Sequence, residues 1–198
     1  MYTLLKPLLI RERLLQKKLF IFTPRDFELT FQLPKQKAKY FLEKESKDGL
    51  FLRLKKGLYS LKTNPLSEEE LANHLYRPSY ISFEYALASY NILPEMTYSV
   101  TSATTKPTRT FIVNNKTFSY STIKKEAYTG YTLIKQDGAV FLMAEPEKAL
   151  VDYLYFVVLG KKTKNDRLKT SSLQKEKLLK YAYLYNKNKL TKLVRELL

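Results

Sequence analysis

Over the first sixty residues the apolar positions keep a helical period three times and then switch to alternation. Leu4, Leu5, Leu8, Leu14 and Leu15 fall at helical spacing, with Pro7 tolerable only in the opening turn. In FTPRDFELTF, Thr23 is placed to cap a short second helix whose first position is Pro24, where a missing N–H is no loss. A third helix is predicted over LPKQKAKYFLEKESKDG. Pro34 opens it, Ala38, Phe41 and Leu42 form an i, i+3, i+4 stripe, and Gly49 closes it. Leu50, Leu52 and Leu54 then alternate with Phe51, Arg53 and Lys55, the period of a strand. Lys55, Lys56 and Gly57 supply a turn, and Leu58 to Leu61 the return strand.

Past Leu61, KTNPLSEEE joins a turn-forming Asn64-Pro65 to three acids and marks a boundary between residues 1–65 and 66–198. Ser67 and Glu70 have capping-box spacing for a helix SEEELANHLY, and another helix is expected over SFEYALASYNIL. Strand-type segments follow: TYSVTSA, then RTFIV and KTFSYSTI joined by Asn114-Asn115, then YTLIK and AVFLM joined by Gln136-Asp137-Gly138. Pro146 starts a largely apolar helix, EKALVDYLYFVVL. The tail from Ser171 predicts two Lys-rich amphipathic helices broken near residues 186–188. The pattern as a whole predicts an α+β chain: helices and a hairpin first, then a mixed α+β domain with antiparallel hairpins and a helical tail.

Charge divides along the same lines. Residues 1–62 carry 15 Lys and Arg against 6 Asp and Glu, residues 63–159 carry 8 against 10, and residues 160–198 carry 12 against 3. Two basic ends therefore flank a near-neutral middle, and a polyanion is the natural partner of such ends. Lysine enrichment for solubility alone would not predict the acidic middle. No apolar run approaches the roughly 20 residues that cross a bilayer, and the start has no small-residue cleavage site, so a cytoplasmic protein with no membrane association is expected. With no cysteine and a lone His74, neither a thiolate metal site nor a His-based centre is expected.

Three short helices followed by a two-stranded hairpin is the layout of a winged helix-turn-helix, which docks its third helix in the major groove while the hairpin touches the neighbouring backbone. With Ala38, Phe41 and Leu42 facing a core, Gln36, Tyr40 and Lys47 turn outward, flanked by Lys37, Lys39 and Lys44. Gln can bond bidentately to adenine, whereas Lys and Tyr mostly reach phosphate. An ordinary solvated Lys-rich face is the alternative. Glu145, Glu147 and Lys148, with Asp137 upstream, crudely match the acid, acid, lysine sets that hold Mg2+ in nucleases. Pro146 tells against it, since Glu147 then favours the helix dipole without a metal, and Lys148 and Asp152 are spaced to pair. Tyr80, Tyr85 and Tyr90 recur at about helical spacing, and core packing explains them at least as well as stacking on single strands. Tyr181, Tyr183 and Tyr185 alternate by two within a predicted helix and cannot share one face. The five glycines are scattered singly, which excludes a phosphate-cradling loop.

The order of FTPRDF, a Lys-rich helix, GLFLRLKKGLYSL, RPSYISFEYALASYNILPE, YSVTSATT and MAEPEKALVDYLYF resembles the AbiEi-type antitoxins of type IV toxin-antitoxin systems, which are linked to abortive phage infection. The resemblance runs from about Phe22 to about Phe156; the tail after Gly160 is not matched at the level of motifs. It implies an N-terminal winged helix-turn-helix that binds inverted repeats of double-stranded DNA in its own promoter and represses it. It also implies a C-terminal domain that counteracts a nucleotidyltransferase-like toxin. Carried over by position, the DNA-binding residues are Lys35, Gln36, Lys37, Lys39, Tyr40, Lys44 and Lys47 on the helix, with Arg53, Lys55 and Lys56 on the hairpin. No catalytic residue, metal or cofactor is implied. The residues themselves leave open a stand-alone transcriptional regulator or a Mg-dependent nuclease.

Overall fold

The computed structural model describes residues 6–63, 66–95 and 97–197. The chain is mixed α+β and divides into two compact units, Met1–Ser67 and Glu68–Leu198.

The first unit begins with α1 (Pro7–Gln16), β1 (Ile21–Phe22) and α2 (Pro24–Phe31). Pro7 sits in the opening turn of α1, and Ile10 and Leu14 are its buried positions. Leu8, expected on the apolar stripe, is exposed; Leu4 and Leu5 lie outside the described residues. At α2 the Thr23 hydroxyl accepts from the Asp26 N–H at 3.2 Å while the Asp26 carboxylate accepts from the Thr23 N–H at 2.8 Å, a reciprocal capping box. Helix α3 (Lys35–Lys47) buries Ala38, Phe41 and Leu42, the expected stripe, together with Glu45. Gly49, at a φ of +89°, lets the chain leave α3 for β2 (Phe51–Lys55), and Gly57 turns it into β3 (Leu58–Leu61). All three strands pair antiparallel in the order β1-β3-β2.

Aromatic rings fix the helices to this sheet. Phe27 is fully buried, with ring centroids of Phe31 at 4.6 Å, Phe22 and Phe41 at 5.8 Å, and Phe51 at 6.0 Å. Three of these four partners come from β1, α3 and β2 and the fourth from the end of α2, so one side chain ties the unit together.

In the second unit, α4 (Glu68–Leu75), β4 (Ser79–Ile81) and α5 (Phe83–Ser89) precede β5 (Ser99–Thr104), β6 (Arg109–Val113) and β7 (Lys116–Thr122). A 3-10 turn (Lys125–Ala127), β8 (Tyr131–Gln136), β9 (Ala139–Ala144) and α6 (Pro146–Val158) follow, and α7 (Lys175–Leu184) and α8 (Asn188–Glu196) form the tail. The six strands are ordered β6-β7-β5-β4-β9-β8, with parallel pairing of β5 to β7 and of β4 to β9. Both antiparallel hairpins close on two residues with positive φ, Asn114-Asn115 and Asp137-Gly138, the conformation that matches the strand twist.

Adjacent residues of a strand point to opposite faces, and β5 shows which helix covers each. Ala103 pairs with Tyr80, whose hydroxyl reaches Asp152 of α6, while Ser102 pairs with Tyr120, whose hydroxyl reaches the Ala72 carbonyl of α4 at 2.6 Å. The central strands β4 and β5 are thus sandwiched. Tyr80 lies on β4 and Tyr85 on α5, so the helical spacing of Tyr80, Tyr85 and Tyr90 does not reflect a shared helix. Helix α4 also substitutes for a missing strand neighbour along β9: Glu70 accepts the Val140 N–H at 2.9 Å, and the Asn73 amide bonds both backbone groups of Leu142. Among the described residues no helix is long and apolar enough to cross a membrane.

Candidate nucleic-acid interface

Helix α3 turns its polar side to solvent because Ala38, Phe41 and Leu42 occupy one stripe and the aromatic core holds that stripe down. Lys35, Gln36, Lys37, Lys39, Tyr40, Lys44 and Lys47 are all exposed, Tyr40 by 71%. At about 100° per residue, Gln36, Lys37, Lys44 and Lys47 lie within about 60° of Tyr40. Lys35 and Lys39 sit further round the helix.

Glu43 also lies on this outward side. Lys39 Nζ stands 4.0 Å from its carboxylate, so the Lys39 edge is partly neutralised. Lys44 Nζ is 3.9 Å from Glu45, whose carboxylate is 5% exposed. Both Lys39 and Lys44 therefore have a carboxylate close by, and the cations of the helix flank Tyr40 on both sides.

On the hairpin, Arg53 and Lys56 are exposed and Lys55 is half-buried. Cross-strand pairs share a face, and Phe51 pairs with Leu61 while Arg53 pairs with Tyr59. Phe51 is the ring that meets Phe41 of α3, at 6.3 Å. Arg53 consequently projects from the helix-bearing side of the sheet. Between Arg53 and Lys55 the register slips, a bulge that re-aims the side chains of the tip. The helix cations and the hairpin cations thus belong to one small unit with a shared aromatic core.

The EPEK segment has a different character. Lys148 and Asp152 are both completely buried and paired. The second Asp152 oxygen accepts from Tyr80 at 2.9 Å and from Ser82 at 2.8 Å, and the first also accepts from the Tyr185 hydroxyl. Burial, reinforced by the Asp152 charge, pushes the Tyr80 and Tyr185 hydroxyls well above the usual phenol range, so both remain donors. Burial lowers Lys148, and Asp152 opposes that shift.

The acids of the segment are engaged separately. Glu147 accepts the Gln174 N–H at 3.1 Å, Glu145 accepts the Tyr181 hydroxyl at 3.1 Å, and Asp137 stands exposed in its turn. Among the described residues no group of three His, Cys, Asp or Glu is placed to hold a metal ion. His74 lies against Arg77, and burial, with the guanidinium adding, lowers it to about 4, leaving the ring neutral at pH 7. These contacts make the cluster an anchor for the tail rather than an open cleft. Comparison of the chain with models of known protein families and with curated proteins finds no match.

Proposed function

We propose that this chain is a cytoplasmic antitoxin that represses its own promoter. Its N-terminal unit is read as a winged helix-turn-helix, α3 entering the major groove and the β2–β3 hairpin lying on the neighbouring backbone. The observation that carries the DNA-binding part is the cation-edged outward stripe of α3, with Gln36 and Tyr40 on it, held on the same aromatic core as the basic hairpin. The element order also supports it: helix, strand, helix, helix, strand, strand, with β1 pairing β3. Lys37, Lys44, Lys55 and Lys56 serve phosphates, and Gln36 is the residue suited to a base edge.

Gel-shift titration with DNA taken from upstream of its reading frame tests this. Lys55→Glu with Lys56→Glu is expected to weaken that DNA and unrelated duplex alike, at least tenfold, and to lower the salt slope by about 2. Gln36→Ala is expected to cost about 1–3 kcal/mol on the preferred sequence and little elsewhere. Unchanged binding by the double variant would remove the hairpin from the interface.

The antitoxin part rests on the family resemblance, which implies a nucleotidyltransferase-like toxin as partner. Co-expression of the full-length chain with such a protein encoded beside it is expected to restore growth. Failure to rescue, with promoter binding intact, would leave a stand-alone regulator.

A further inference from the structure

The tail carries a second basic surface, built differently from the first. Tyr181 and Tyr185 point into the unit, 7% and 0% exposed, whereas Tyr183 between them is 56% exposed. Beside it, the α7–α8 junction and the outer side of α8 form a cavity of about 310 Å³ whose lining includes Tyr183, Lys187, Lys192 and Arg195, together with Asn186 and Asn188. No acid lines it. Arg195 donates to the Tyr183 hydroxyl at 3.0 Å, which fixes the guanidinium against the ring edge. Lys192 stands 3.9 Å from Glu196, both largely exposed, and such pairs hold weakly enough to be exchanged for another anion.

We propose that this groove binds single-stranded nucleic acid, one base stacking on Tyr183 and the adjoining phosphates lying at Lys187, Lys192 and Arg195. An exposed ring can stack only on a base that is free of a partner strand, and the cavity is at the small end of ligand sites, room for a nucleotide unit and not for a duplex. Asn186 and Asn188 in the lining are residues whose amides can both donate to and accept from a base edge. An acidic peptide would satisfy the cations but leave the ring without a base to stack on. The site is independent of α3 and of the reading given above.

The test is fluorescence anisotropy of the full-length protein with labelled oligo(U) RNA and oligo(dT) DNA of about 12 nucleotides, within the span of known single-strand sites. A matching duplex and unlabelled polyglutamate complete the set. Both single strands are expected to bind, with a log–log salt slope of about −2 from three phosphate contacts; preference for the RNA would place the 2′-hydroxyl in the site. Lys192→Glu with Arg195→Glu should weaken single-strand binding at least tenfold. Tyr183→Ala should weaken it about tenfold, and Tyr183→Phe, which keeps the ring and loses only the hydroxyl that holds Arg195, should weaken it less than Tyr183→Ala does. Lys55→Glu with Lys56→Glu should leave single-strand binding intact, so failure at this groove is distinguishable from failure at the hairpin. If the glutamate pair lowers helical content, Lys192→Gln with Arg195→Gln repeats the measurement. Equal binding by the groove variants, no effect of Tyr183→Ala, or displacement by polyglutamate at matched charge would each overturn the proposal.

Discussion

Replacing Asp152 with alanine is expected to lower the stability of the unit Glu68–Leu198 by about 3–5 kcal/mol. The reason is the company this carboxylate keeps. It is completely buried and accepts from Lys148, Tyr185, Tyr80 and Ser82, joining α6 to β4, to the start of α5 and to the end of α7. Its loss leaves the Lys148 nitrogen buried with no counter-charge and three hydroxyls short of an acceptor. Lys148→Met combined with Asp152→Leu should recover the charge part and not the hydroxyl part, giving a variant intermediate between wild type and Asp152→Ala. Urea unfolding followed by far-UV circular dichroism reads all three. A midpoint for Asp152→Ala equal to wild type would show that the cluster does not hold the tail.

The second large effect is expected at Phe27. Phe27→Ala should cost the N-terminal unit about 3–5 kcal/mol, the range for a buried aromatic truncated to alanine. The side chain is 0% exposed and meets the rings of Phe22, Phe31, Phe41 and Phe51. A unit of fewer than 70 residues has little stability in reserve, so the substitution should leave it largely unfolded near body temperature. Promoter binding should disappear with it, although Phe27 is far too buried to touch DNA. Phe27→Leu, which retains most of the volume, should keep both. Cooperative unfolding of Phe27→Ala at the wild-type midpoint would contradict the central place given to this ring.

Local signals were legible where the period was long enough. A helix opened at Pro34 and closed by Gly49 and the return strand Leu58–Leu61 follow from the residues alone, as do the Thr23 cap and the two hairpin turns that need positive φ. What escaped was set by distant partners. Strand β1 has two residues and β4 has three, too few for a period, and each exists because a neighbouring strand supplies its hydrogen bonds. Lys148 and Asp152 could be paired by their spacing. The hydroxyls that complete the cluster come from 33 to 72 residues away and leave no mark near them. On α3 the cations were visible, but the dampening of Lys39 by Glu43 and of Lys44 by Glu45 depends on which ion pairs actually form.

The central position of β4 also orders what a nascent chain can complete. Once residue 67 has left the ribosome, every strand of the first sheet is available to its neighbours. Strand β4, made soon after, must wait for β9 before it is flanked on both edges, and Tyr80 lacks the carboxylate that accepts from it in the fold until Asp152 emerges 72 residues later. During vectorial synthesis the basic N-terminal unit therefore has all its parts while the rest of the chain is still an open sheet edge.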